Sequence, residues 1–167
     1  SGEVGTTVFA VPEGSLGWWR ERLAAHGVSG LAEASSFGRP QLNFRGPDDD
    51  GLALVEDPAD TRAPWVTGEI AHDKAIRGFH SASLRLRDAG ATAELLGFMG
   101  YQPAESDGAV TRLIRPDGNG ADFIDLETLP GAPVSRLGAG SVHHIAFAVE
   151  NRATQLEVRK ALMDTGY

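Results

Sequence analysis

Five histidines and a scatter of carboxylates are the side chains of this sequence with chemistry to offer. An imidazole can hold a transition metal, and it titrates near enough to neutrality to carry a proton. Two of the five are adjacent, His143 and His144, at the head of the apolar stretch Ile145-Ala146-Phe147-Ala148-Val149. Another, His80, opens a similar stretch, Ser81-Ala82-Ser83-Leu84-Arg85-Leu86, 64 residues before His144. The carboxylates Glu56 and Asp57, and Asp125 and Glu127, close apolar segments and read as solvated strand ends. Asp48-Asp49-Asp50-Gly51 lacks the alternation and distal Glu of a calcium loop and reads as a turn. Gly118-Asn119-Gly120 lacks the strand-to-helix setting of a phosphate loop. No Ser-His-Asp arrangement is supported. With no cysteine there is no thiol nucleophile, disulfide framework or Cys zinc site.

These residues sit in a repeating unit. Three stretches share one plan of strand, turn and helix. The first runs Gly5 to Val11 and is followed by Ser15 to His26. The second runs His80 to Leu86 and is followed by Gly90 to Leu96. The third runs His143 to Val149 and is followed by Ala153 to Asp164. Aligned without gaps, Phe9, Leu84 and Phe147 coincide, as do Val11, Leu86 and Val149, at offsets of 75 and 63 residues. Strand pairs follow the first two helices. Gln41 to Arg45 and Gly51 to Glu56 flank a Pro-Asp turn; Ala109 to Arg115 and Ala121 to Glu127 flank Pro116 to Asn119.

Period-2 alternation assigns the faces. Thr7, Phe9 and Val11 share an apolar face with Ala82, Leu84 and Leu86, and with Ile145, Phe147 and Val149; helices should cover it. The other face carries Thr6, Val8 and Ala10, then Ser81, Ser83 and Arg85, then His144, Ala146 and Ala148. A sheet with one small, polar face can curl into a cup that holds a ligand. Ser15 is placed to cap the first helix with its hydroxyl, and Gly27 to end it. The last helix is expected to start at Asn151, bury Leu156, Val158, Leu162 and Met163, and stop at Gly166. Trp18, Trp19 and Trp65 read as packing residues. The fold class is α+β: repeated βαβββ units forming a curved, mostly antiparallel sheet.

Composition narrows the partners. A formal charge of −8 lacks the basic footprint of a nucleic-acid binder and repels anionic membrane surfaces. No apolar run approaches the ~18 residues of a membrane span, and residues 1–12 show no signal peptide, so a cytoplasmic location is expected.

The segments Val11-Pro12-Glu13-Gly14-Ser15-Leu16-Gly17-Trp18-Trp19, Arg77-Gly78-Phe79-His80-Ser81 and Gly140-Ser141-Val142-His143-His144-Ile145-Ala146-Phe147 resemble the vicinal-oxygen-chelate superfamily. That group includes glyoxalases, bleomycin-resistance proteins and extradiol dioxygenases. The nearer resemblance is to hydroquinone ring-cleaving dioxygenases, which have four βαβββ modules. It implies that residues 1–56 are module two, 57–78 a connector, 79–127 module three, 128–140 a linker, and 141–167 the start of module four. The sequence then reads as an interior piece of a longer chain.

The resemblance also implies the chemistry. Such enzymes bind Fe(II) or Mn(II) through two His and one carboxylate, leaving positions open for an aromatic diol and O2. The ligand position falls on Thr6, Ser81 and His144 in the three repeats, and His144 is the one able to hold a transition metal well. His143 then becomes a candidate catalytic proton shuttle for a hydroquinone hydroxyl, although alternation puts it opposite His144. His80 is a rival ligand, because catechol extradiol enzymes take one His from each of two successive modules. The expectation is part of a metal-dependent ring-cleaving dioxygenase, inactive alone, retaining no metal and forming a homo-oligomer. The cup of modules two and three should hold no metal. The competing reading is a non-catalytic glyoxalase-fold protein that binds a small molecule or drug. The strand from Gly140 to Val149 is expected to stay without sheet partners.

Overall fold

The structure, a computed structural model, describes residues 2–118, 121–135, 138–142 and 144–166. The first unit is β1 (Glu3–Val11), α1 (Leu16–Ala25), β2 (Ala32–Ser36), β3 (Arg39–Arg45) and β4 (Gly51–Glu56). The second repeats that order with β5 (Gly78–Leu86), α2 (Gly90–Phe98), β6 (Gln102–Asp107), β7 (Val110–Ile114) and β8 (Phe123–Thr128); α3 (Arg152–Asp164) follows. The strands make one mixed sheet in the order β2-β3-β4-β1-β5-β8-β7-β6. Only the β1/β4 and β5/β8 pairs are parallel, so the curved, mostly antiparallel α+β architecture is as expected.

The units meet through β1 and β5, which run antiparallel. Thr7 lies opposite Ala82, flanked by the pairs Val8 with Ser81 and Thr6 with Ser83. Thr6 and Ser81 are 75 residues apart, as are Val8 and Ser83. The two flanking pairs therefore exchange under the sequence repeat, and Thr7 and Ala82 mark its two-fold axis.

Alternation places the core. On the helix side Val11, Leu42 and Leu54 pack with Trp19 of α1, joined by Phe9 and Leu23. The second unit matches this with Leu113, Ile124 and Leu126 against Leu96 of α2, joined by Ala82, Leu84 and Leu86. The opposite, concave face has a small apolar floor of Val8, Ala53 and Val55. The connector between the units is anchored from both sides: Trp19 Nε1 donates to the Lys74 carbonyl at 2.8 Å, and Arg77 N–H to that of Ala10 at 2.9 Å. Trp65, by contrast, is 78% exposed and packs no core.

The helix ends correct one expectation. Ser15 does precede α1, but its hydroxyl donates back to the Pro12 carbonyl. The free N–H of Leu16 is taken by the Glu56 carboxylate at 3.1 Å. A charged acceptor suits the positive end of a helix better than a hydroxyl does. Gly27 ends α1 at φ +70°, a conformation glycine adopts without a Cβ clash. Asn151 caps α3 through its side-chain oxygen, which accepts from Ala153 and Thr154.

The third repeat departs further. Val142 makes one bridge to Val4, and 144–149 form no strand. A strand needs a free ladder, and β1 has β5 on one side and, from Thr7 onward, β4 on the other, which leaves only its first residues open to such a bridge. The segment instead lies over the helix side of the second unit, where Ile145 joins the Leu126 cluster and Phe147 meets Tyr101 edge-on at 5.9 Å. Nor does α3 bury Leu156, Val158, Leu162 or Met163: none of its residues is buried. Among the described residues, no helix is long and apolar enough to cross a membrane.

Leu126 and Leu156 therefore test the weight of burial. Leu126→Ala empties a site that is 1% exposed and should cost about 3 kcal/mol. Leu156→Ala, on the open face of α3, should stay within about 0.5 kcal/mol. Urea unfolding of the two variants makes the comparison.

Candidate functional site

The concave face is polar where the helix side is apolar. β1 and β5 present Thr6, Ser81 and Ser83, and β3 adds Gln41 and Asn43, whose amides are bonded to each other at 2.7 Å. A cavity of about 500 Å³ lies here, bordered by Thr6, Phe37, Asn43, Ser83, Arg85 and Asp125. Its hydroxyls and amides are poor ligands for a transition metal. Of the charged residues on its border, Arg45, Arg85, Asp125 and Glu127 are in ion pairs. Arg85 pairs with Glu127 at 2.9 Å, and Arg112 with Asp125.

Asp125 and Asp57 are not the solvated strand ends expected. Asp125 is 5% exposed and accepts two hydrogen bonds from Arg112, from Nε and Nη2, each at 2.7 Å. Arg112 is itself 2% exposed. The signal was present in the sequence: an arginine inside an apolar strand, facing an acid across the next hairpin. β7 and β8 pair these two residues directly. Asp57 is buried by the turn after β4 and forms an ion pair with Arg39 of β3.

His80 belongs to the same network. It is 2% exposed, its Nδ1 is 3.1 Å from Ser81 Oγ, and its ring stacks on Phe123 at 5.0 Å. Nε2 has no hydrogen-bond partner among the described residues and lies 3.7 Å from an Asp57 oxygen. Burial, seconded by the Arg112 charge, pushes the imidazole down to about 4; Asp57 opposes this and loses. His80 is thus held neutral inside the protein.

His144 stands apart. It is exposed and borders a groove of about 680 Å³ between residues 144–150, with Val142, and the helix side of the second unit. Phe79, Tyr101, Ile124 and Phe147 supply apolar walls. Burial raises the Tyr101 phenol above its ordinary range, so it stays protonated. His80 borders the same groove, as do the carboxylates of Asp117, Asp122 and Glu150. Among the described residues no three His, Asp or Glu come together in a way that could hold a metal ion. The described residues fit one imidazole of a metal site, not a whole site. His143 lies outside the described residues.

A neutral buried histidine makes stability depend on pH with a definite sign. The unfolded chain takes up a proton below about 6.5, and folded His80 does not until about 4. The stabilisation is complete above pH 6.5 and is lost as pH falls toward 4, on the order of 2 kcal/mol by pH 4.5. His80→Gln should lower stability at pH 7 yet flatten this acid limb. Urea midpoints of the variant and the parent at about pH 7 and about pH 4.5 check it.

No protein-family model matches the chain. Relatives do. A Bacillus subtilis (strain 168) protein named as a ring-cleaving dioxygenase, MhqO, is 32% identical over 167 residues, 99% of this chain and 53% of its own length. The chlorohydroquinone/hydroquinone 1,2-dioxygenase of Sphingobium indicum is 29% identical over 177 residues, all of this chain and 54% of its own. The chain spans about half the length of the curated relatives it matches. A crystal structure of a Bacillus subtilis protein named as a dioxygenase superposes on all of the chain and on 54% of its own, with a TM-score of 0.88 at 31% identity. A glyoxalase I variant from Zea mays shares the fold alone, at 11% identity and a TM-score of 0.56 over 78% of this chain and 44% of its own. By its relatives and its paired βαβββ units, the chain belongs to the vicinal-oxygen-chelate superfamily and stands close to the hydroquinone ring-cleaving dioxygenases.

Proposed function

We propose that this chain is part of a metal-dependent dioxygenase that opens the ring of a hydroquinone-like aromatic diol. The observation that carries the reading is kinship along 99% of the chain to a protein named as a ring-cleaving dioxygenase. Within it, His144 is one protein ligand of Fe(II) or Mn(II), and His143 is the base that takes the proton of a diol hydroxyl. The metal, when bound, supplies a Lewis acid for the diol oxygen and a place for O2. The described residues do not provide its remaining ligands, so no step of ring opening is derived from them. The chain alone is therefore inactive.

The concave cavity supports the second reading, a module that binds a small molecule without a metal. Thr6 stands where the repeat puts His144, and the hydroxyls and amides around it can hydrogen-bond a ligand but not hold iron.

Oxygen uptake separates the readings. With Fe(II) or Mn(II) and a panel of hydroquinones, the 167-residue chain is expected to consume no more O2 than the metal and hydroquinone without protein. Mn(II) should bind weakly, at one site that His144→Ala removes. Turnover by the chain alone, or metal binding undiminished in His144→Ala, would overturn the assignment. Calorimetric binding of an aromatic ligand lost on Ser83→Leu, with no metal needed, would favour the second reading.

A further inference from the structure

The hairpin of β2 and β3 turns through two residues, Phe37 and Gly38, both with positive φ, +48° and +74°. Two-residue turns of this hand favour Asn-Gly, because a bulky side chain is disfavoured in the left-handed region. A phenylalanine there asks for a reason. Its ring lies 4.0 Å from the guanidinium carbon of Arg112, a residue of the other unit. On its second side Arg112 faces Phe123 at 4.9 Å, and Phe123 stacks on His80. His80 approaches Asp57, and Asp57 pairs with Arg39, two residues beyond Phe37. The contacts close a circuit that leaves the hairpin tip, crosses β7, β8 and β5, and returns to the hairpin. Phe37 and Asp125 both border the concave cavity.

We propose that the β2–β3 hairpin is a strap across the mouth of the concave cavity, with Phe37 as its latch on Arg112. β2 lies at the edge of the sheet, paired on one side only, so its tip can lift without breaking a second ladder. What holds it down is the ring on a desolvated guanidinium, where such a contact is strongest, and the Arg39–Asp57 pair beside it. The strap thus controls entry to the cavity from the hairpin side. This does not rest on the dioxygenase reading, since neither His143 nor His144 takes part.

The absence of cysteine gives a clean test. Ser83→Cys places a single thiol on the cavity wall, and its rate of labelling by a small thiol reagent reports opening. Phe37→Asn added to this background improves the turn chemistry while removing the ring. Phe37→Trp keeps an aromatic face for Arg112. Labelling is expected to rise about tenfold with Asn and to stay near the parent rate with Trp. An Asn variant that labels as slowly as the parent, or a Trp variant as fast as the Asn one, would overturn the proposal. So would failure of the Asn variant to fold, because that would make Phe37 part of the core rather than a latch.

Discussion

A guanidinium taken out of water sets the terms for the concave face. Arg112 cannot release its proton, so burying it demands a full set of partners. Asp125 provides the opposite charge with two hydrogen bonds, and Phe37 and Phe123 provide aromatic faces. Removing one partner leaves a charge stranded in low dielectric, which costs far more than the pair contributes when intact. The positions of β7, β8 and the β2–β3 turn are therefore tied to one side chain. The neutrality of His80 follows in part from the same charge.

The two faces of the sheet are committed to different physics. The helix side is held by area, through Trp19, Leu54, Leu96 and Leu126. The concave side has little apolar area beyond Val8, Ala53 and Val55, and is held by directional contacts. Such contacts specify geometry tightly and tolerate substitution poorly. A ligand entering the cavity would compete with the protein for the Gln41 and Asn43 amides and for the paired charges of Arg85, Glu127 and Asp125. His144 lies elsewhere, on the exposed segment beyond the second unit.

Much of the fold was legible because period-2 alternation and the 75-residue repeat agreed. Phe9, Val11, Leu84 and Leu86 went to the helix side as the pattern required. The edge strands β2 and β6 were not legible. Their residues, Ala32 to Ser36 and Gln102 to Asp107, are almost wholly exposed and carry no apolar alternation. The third repeat showed the limit of pattern. Its strand motif is as clear as the others, but β4 and β5 occupy most of β1, and the motif found no more than the Val142 bridge to Val4. At the site, the His143–His144 pair drew notice by residue type. The half-buried Arg39 and the buried Asp57, Arg112 and Asp125 did not, because a charge reads as surface unless its partner across the sheet is considered.

The way the units are joined has a consequence for how the chain reaches this structure. Within each unit the strand pairs β2/β3, β3/β4, β6/β7 and β7/β8 are hairpins or near neighbours in sequence. Among the described strand pairs, β1/β5 is the one that crosses between the units, over some 75 residues. Closing that loop costs entropy that local pairs do not. The halves can therefore organise first, each collapsing on its own helix, and join late. The concave face would be assembled last. Until then Arg112 has Asp125 and Phe123 of its own unit but not Phe37, so the last step of its desolvation coincides with docking.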